Sequence, residues 1–194
     1  MVLIRDDRTV LRPFRADELD QWFAARLESA DDRTVSPMGP PNRQRVAERI
    51  ERSGTFHEGM LDLAIEVDGR LIGEIGTYEE PGRQIRPGLF FLSIGLFRPQ
   101  DRHRGFGTEA VRLLCDWLVR EAGANRIESG TADTNVAMRR VFEKLGFRFE
   151  GTETAWEVEW ARYSLTPATT ANNSAPSDRA QASHLSRGPS TKPP

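Results

Sequence analysis

The sequence predicts a mixed α/β domain with an antiparallel front and a single helical crossover between two strands. Three observations lead there. Leu61-Asp62-Leu63-Ala64-Ile65-Glu66-Val67 alternates cleanly, and Leu71-Ile72-Gly73-Glu74-Ile75 answers it across Asp68-Gly69, a strong hairpin signal. The hydrophobic run Leu92-Ser93-Ile94-Gly95-Leu96-Phe97 passes through an Arg/Gly-rich loop into a long amphipathic segment, residues 109–122. A strand, a helix and two further β-like runs follow, so the predicted order is β-α-α-β-β-β-α-β-α-β-β.

Residues 1–13 hold the first β-like run, Thr9-Val10-Leu11, closed by Pro13. Leu19, Trp22, Phe23 and Leu27 then recur at helical spacing, and Asp17 and Glu18 favour the helix start. Residues 29–42 carry Pro37, Gly39, Pro40 and Pro41 and read as a loop. Residues 43–53 predict a second helix, with Val46, Ala47 and Ile50 on one face and Asn42 as its cap. After the hairpin, a polar loop at 79–88 leads to the strand ending at Phe97. Beyond the long helix come a short strand (126–131) and a helix (135–145), with Gly146 suited to the left-handed position past a helix end. The last two β-like runs lie around residues 147–150 and 156–165. From Thr166 onward Thr, Ala, Asn, Ser and Pro dominate, with Leu185 the sole sizeable apolar side chain. Such a segment buries too little surface to offset its ordering entropy. The folded unit is therefore placed at 1–165 and the tail, 166–194, is expected to be disordered.

Composition narrows the function classes. A net charge of −2 argues against a generic nucleic-acid binder. No run approaches the ~18–20 apolar residues that span a bilayer, and the N-terminus lacks a signal-peptide core, so a cytoplasmic protein without a membrane partner is expected. One cysteine and three histidines exclude a disulfide framework and make a metal site improbable.

The loop Arg102-His103-Arg104-Gly105-Phe106-Gly107-Thr108 has the makings of an anion site. A strand turning through glycines into a helix brings backbone N–H groups and the positive helix end to one point. Gly105 and Gly107 allow an oxyanion closer to the backbone than a Cβ permits, while Arg102, His103 and Arg104 add donors. The reading from the residues alone is a diphosphate cradle.

With these residues in view, the chain resembles the GNAT superfamily of acyl-CoA-dependent N-acyltransferases, and within it the ribosomal-protein-alanine N-acetyltransferase-like branch. The loop signature Arg/Gln-x-x-Gly-x-Gly/Ala is matched by Arg102, Gly105 and Gly107. The preceding strand, the continuation Thr108-Glu109-Ala110, Asn135 after the next strand, Glu143-Lys144-Leu145-Gly146-Phe147 with Glu150-Gly151, and the opening Leu11-Arg12-Pro13 support it. The resemblance implies the GNAT fold with a splayed central strand pair, and acetyl-CoA as cosubstrate. It implies that Arg102 and the amides of His103, Arg104, Gly105, Phe106, Gly107 and Thr108 hold the coenzyme A diphosphate. The pantetheine arm would lie between the strand ending at Phe97 and the strand starting at Arg126. Backbone groups of Ile94, Leu96 and Phe97 would pair with it like an added strand. Asn135 would bind its amides as donor and acceptor, with Phe142 beside it. The Leu96 backbone N–H would polarise the thioester carbonyl.

Transfer also requires a neutral amine and a proton for the departing thiolate. Where many relatives carry a tyrosine acid this sequence has Phe142, and where some of the branch carry a serine it has Met138; neither donates a proton. Water, Cys115 or Tyr163 stay open as substitutes, although Cys115 sits beside Leu114 and Leu118 and reads as a buried thiol. Glu74 is the candidate base. Its strand also permits a plain outward-facing carboxylate. Glu79, Glu80, Asp31 and Asp32 either attract a cationic acceptor or are solvated loop charge. His103 reads as a phosphate contact, and His57 and His184 have no visible partner. Trp22, Phe23 and Trp117 read as core; Trp156 and Trp160 line either an acceptor pocket or a dimer contact, and a homodimer is left open.

A site without a strong base favours an α-amine slightly, since it is roughly 10% neutral at pH 7 whereas a lysine-like amine is neutral below ~0.1%. The expected function is transfer of the acetyl group of acetyl-CoA to a primary amine, with a slight preference for a protein or peptide α-amine. The alternatives are a small polycationic acceptor (an aminoglycoside or polyamine) and a non-catalytic acyl-CoA-binding regulatory module. A P-loop nucleotide binder is disfavoured because Gly-x-x-x-x-Gly-Lys-Ser/Thr is absent.

Overall fold

Strand pairing determines where this molecule can hold a ligand. The computed structural model describes residues 1–28, 41–79, 86–155 and 157–167. Asp31, Asp32, Glu80, Trp156, His184 and most of the predicted tail lie outside the described residues. The strands are β1 (Ile4–Arg5), β2 (Thr9–Arg12), β3 (Leu61–Val67), β4 (Arg70–Tyr78), β5 (Leu89–Leu96), β6 (Arg126–Ala132), β7 (Arg148–Ala155) and β8 (Val158–Leu165). The helices are α1 (Leu19–Leu27), α2 (Arg43–Arg52), α3 (Phe106–Glu121) and α4 (Val136–Lys144). They form a mixed α/β fold around one eight-stranded sheet in the order β1-β2-β3-β4-β5-β6-β8-β7.

Local chemistry accounts for most boundaries. Asp68 and Gly69 both take positive φ, 49° and 77°, as a tight hairpin turn between β3 and β4 requires. Asn42 caps α2, its side chain accepting from the Arg45 amide at 3.0 Å. Past α4, Gly146 (φ 83°) lets its own amide reach the Glu143 carbonyl and the Phe147 amide reach back to Phe142. The expected order had seven strands; β1 is the eighth. It is two residues long and pairs Ile4 with Leu11, too short to leave a periodic signal.

Two apolar clusters flank the sheet. On one face Val111, Leu114 and Leu118 of α3 and Phe142 of α4 pack against Leu63, Ile65, Ile72, Leu92 and Ile127. Leu114 and Leu118 are fully buried and contribute about 2 kcal/mol each. On the other face Trp22, Ala25, Val46 and Ile50 of α1 and α2 cover Ala64, Leu71 and Phe97.

All strand pairs are antiparallel except β5 with β6. That parallel ladder joins only Leu89–Phe91 of β5 to Arg126–Glu128 of β6. Beyond it the Ser129 hydroxyl donates to the Leu92 carbonyl at 2.8 Å, and then the strands part. β4 keeps its pairing with β5 as far as Leu96, so β5 has one satisfied edge and one facing the fork. This is the predicted splay.

Candidate active site

The fork edge of β5 is readable from its hydrogen bonds. The Phe97 amide donates to the Ile72 carbonyl of β4 at 3.0 Å. Antiparallel pairing alternates, so Gly95 faces β4 as Phe97 does, while the backbone groups of Leu96 and Ile94 point into the fork. Leu96 and Ile94 thus have the polar groups an extended ligand needs. Phe97 departs from expectation: its N–H serves β4 and its side chain is buried under α1.

At the mouth of the fork, Pro99–Asp101 form a 3-10 turn. Buried Asp101 accepts from Arg70 at 3.0 Å and ties the loop to the start of β4. His103 (φ 58°) and Gly105 (φ 88°) both adopt the left-handed conformation, a backbone geometry in which successive amides can converge on an anion. No side chain caps α3. Its first-turn amides, among them those of Phe106, Gly107 and Thr108, therefore lack intrahelical acceptors. The Phe106 ring is buried, with the guanidinium carbons of Arg104 and Arg8 at 5.0 and 5.7 Å from its centroid, so only its backbone can face a ligand. A Cβ on Gly107 would point at Leu96 Cδ1 (3.7 Å) and Ile94 Cδ1 (4.0 Å). The glycine therefore keeps open the corner where loop and fork meet. Asn135 caps α4, its oxygen accepting from the Met138 amide at 3.2 Å, which leaves its NH2 as the group it chiefly offers a ligand.

On the opposite sheet face lies Glu74, paired across β4 and β5 with Gly95. Trp22 Nε1 donates to its Oε2 at 2.9 Å and Arg49 donates to the same oxygen at 3.2 Å. Oε1 is 3.6 Å from Arg26 Nη2. Glu74 is thus no outward-facing surface carboxylate; its side chain is only 13% exposed. Burial alone would lower the Arg49 pKa, but the charges of Glu74 and Asp62 outweigh it and hold the guanidinium above its ordinary range. A Cβ on Gly95 would find Glu74 Oε1 and Arg26 Nη1 each at 3.9 Å. Glu74 Cγ lies at the same distance, so these side chains stand at ordinary van der Waals reach of that position.

A family model for the acetyltransferase (GNAT) domain matches residues 8–148. The chain belongs to the GNAT family. It is 35% identical over 113 residues to the probable N-acetyltransferase YjcK of Bacillus subtilis (strain 168), a match covering 56% of this chain and 59% of that protein. The chain thus spans little more than half the length of that curated relative. Among solved structures it superposes on an acetyl transferase of Salmonella typhimurium described as modifying the N-terminal serine of 50S ribosomal subunit protein L7/L12. That match has a TM-score of 0.70 at 12% identity, covering 86% of this chain and 100% of that one. RimJ of Mycobacterium smegmatis in complex with CoA-disulfide gives a TM-score of 0.68 at 20% identity, with 81% of each chain covered. At these identities the fold is what is shared.

Several expected roles in this GNAT domain need correction. Phe142 is 0% exposed, its ring packed on Phe147 (5.2 Å) and Tyr163 (5.0 Å), so it has no surface with which to touch a coenzyme. Tyr163 lies on β8, separated from the fork by β6, and its hydroxyl accepts from Arg139 at 3.1 Å. Burial foremost, and then the charge of Asp116, pushes the Cys115 thiol up to about 12. It lines a cavity of ≈400 Å³ with Leu165 and Pro167, about 13 Å along α3 from Phe106. Neither Tyr163 nor Cys115 is placed to protonate a thiolate at the fork. His57 is an exposed side chain near Glu58, and Glu79 is exposed at the end of β4. Trp160 of β8 lies against Gly130 of β6, where a Cβ would come 2.1 Å from its Nε1.

Arg26, Arg49 and Trp22 are the residues that sequence reasoning missed as partners of Glu74. Trp22 stood out only as a helical apolar position, and no local pattern joins these residues to a strand far along the chain. Among the described residues there is no group of three or more His, Cys, Asp or Glu placed to hold a metal ion, and no helix long and apolar enough to cross a membrane.

Proposed function

We propose that this protein is an acetyl-CoA-dependent N-acetyltransferase acting on a primary amine, with the α-amine of a peptide or protein preferred. One observation carries the reading: a strand edge with outward backbone groups at Leu96 and Ile94 stands between the uncapped start of α3 and the carboxylate of Glu74. The match to the GNAT domain supports it, as does fold similarity to a Salmonella protein described as modifying an N-terminal serine. Bound acetyl-CoA would supply an acyl group activated as a thioester. The amides of residues 103–108, with Arg102, would hold its diphosphate. The fork edge of β5, with the Asn135 NH2, would hold the pantetheine arm, and the Leu96 N–H would stabilise negative charge developing on the thioester oxygen. The acceptor amine would enter over Gly95, where Glu74 Oε1 takes a proton from its ammonium form. Water is the proton source for the departing thiol, whose ordinary pKa near ~8.5 makes its anion a tolerable leaving group.

The test is thiol release from acetyl-CoA with a peptide bearing a free α-amine, a polyamine and an aminoglycoside in parallel. The peptide is expected to give the highest kcat/KM. Release with none of the three, in a protein that still binds coenzyme A, would replace this reading with a regulatory binding module.

A further inference from the structure

The geometry points to Asp101 as the positioning residue of the coenzyme loop, holding residues 102–105 in shape through Arg70 of the β3–β4 hairpin. The inference rests on the reading of that loop as the diphosphate site and adds the contact that prepares it. Its starting point is how little holds the loop locally. Among the described residues no carbonyl accepts from the amides of His103, Arg104 or Gly105, and no side chain caps α3. His103 and Gly105 stand at positive φ, an uncommon conformation for a histidine. A loop with these features keeps one shape only if something outside it grips its ends.

Asp101 is the grip at the entrance. Its amide donates to the Arg98 carbonyl at 3.1 Å and the Arg102 amide donates to that of Pro99 at 3.0 Å, a tight turn that places the carboxylate just past β5. The side chain is 1% exposed. Oδ1 accepts from Arg70 Nη2 at 3.0 Å, while Oδ2 is buried with no hydrogen-bond partner among the described residues. Burying a carboxylate with one oxygen unanswered is unfavourable, and a corner that needed only filling would take an apolar side chain. The bond to Arg70 is what this carboxylate supplies. Arg70 opens β4 directly after the Asp68-Gly69 turn, and the same turn meets the far end of the loop. Asp68 accepts from Arg8 Nε at 3.2 Å, and the Arg8 guanidinium carbon lies 5.7 Å from the ring centroid of Phe106, the first residue of α3. One hairpin thus touches both ends of the loop.

Charge and position pull in opposite directions at Asp101, which makes the role testable. Its negative charge, close to amides that receive a diphosphate, disfavours the ligand, whereas the positive charge of Arg70 favours it. Positioning predicts that loss of either partner loosens the coenzyme, because binding must then order a loop that was ordered beforehand.

The experiment measures coenzyme A affinity by calorimetry, with kcat and both KM values, for the full chain and for Asp101→Asn, Arg70→Gln and the double variant. Each single variant is expected to lower coenzyme A affinity and raise KM for acetyl-CoA about tenfold, the size of a lost charge-assisted hydrogen bond. The double variant is expected to bind no more weakly than the weaker single one, since the two side chains act as a pair. At saturating acetyl-CoA, kcat and KM for the amine should stay as in the wild type. Arg70→Lys, which keeps the charge, is expected to recover part of the affinity. Arg70 is 53% exposed, so its variants carry the test if Asp101→Asn folds poorly. Tighter binding in Asp101→Asn with weaker binding in Arg70→Gln would reduce the pair to its charges and overturn positioning. So would lower melting temperatures with unchanged affinity. If Gly107→Leu then still weakens coenzyme A, the loop remains the diphosphate site; if it does not, that reading falls as well.

Discussion

A carboxylate in the middle of a β-strand becomes useful through the company it is given. Glu74 is held by an indole N–H and a guanidinium on one oxygen, while the other lies 3.6 Å from Arg26 and 3.9 Å from where a Cβ on Gly95 would stand. With Glu74 as the proposed base, Trp22 and Arg49 would act through it, as positioning residues. Trp22→Phe keeps an aromatic ring in the core while deleting the donor, and it is expected to lower kcat about tenfold with little change in KM for acetyl-CoA. Glu74→Gln should cost about 10²–10⁴ in kcat, the usual range for removing a general base. The informative measurement is the double variant. If Trp22 works through Glu74, Trp22→Phe adds little to Glu74→Gln; additive losses would assign Trp22 a packing role only.

At the scale of elements, α3 combines two tasks that pull its sequence in different directions. Its buried stripe of Ala110, Val111, Leu114, Cys115 and Leu118 fastens it to the sheet, and its first turn must stay open. Gly107 shows the conflict. Alanine there makes only ordinary contacts, 3.7 Å to Leu96, and gains helix propensity of up to about 1 kcal/mol. Gly107→Ala is therefore expected to melt slightly higher than wild type. Gly107→Leu would push into the corner beside Leu96 and Ile94, and coenzyme A affinity measured by calorimetry is expected to fall at least about tenfold. Retained affinity would remove this corner from the coenzyme site. Legibility also varies by element. The hairpin at Asp68-Gly69, the loop glycines and the capped ends of α2 and α4 were readable because turn and cap chemistry is local. β1 was not, since two residues have no period.

Across the whole molecule, buried ion pairs join parts that are distant in the chain. Arg12 on β2 meets Glu18 before α1 at 2.5 Å and Glu66 on β3 at 2.7 Å, and Arg15 reaches Glu66 at 3.0 Å. Burial alone would raise the Glu18 pKa. The hydrogen bond from Arg12, the Arg15 backbone amide and the two positive charges outweigh it and hold the carboxyl below its usual range. A folded-state pKa below the unfolded value stabilises the fold at pH above about 4.5, and that contribution is lost as pH falls through the folded value. Urea midpoints are thus expected to drop between about pH 5 and pH 3, with a shallower slope in Glu18→Gln. Arg12→Ala, which leaves buried Glu18 and half-buried Glu66 with Arg15 alone, is expected to cost about 3 kcal/mol at neutral pH.

By itself the sequence determined the order of every element but β1, the loop that starts α3 and the family those features resemble, a resemblance that in turn implies the fork. All of these rest on neighbouring residues, through periodicity, turn geometry and backbone freedom. Tertiary structure alone decided that Phe142, Tyr163 and Cys115 are buried away from the fork and that Glu74 is paired with Gly95 beside it. It brought Trp22 and Arg49 to one carboxylate across 52 and 25 residues of chain. No local rule encodes such a meeting. It follows from two helices folding over the sheet face that also carries Gly95.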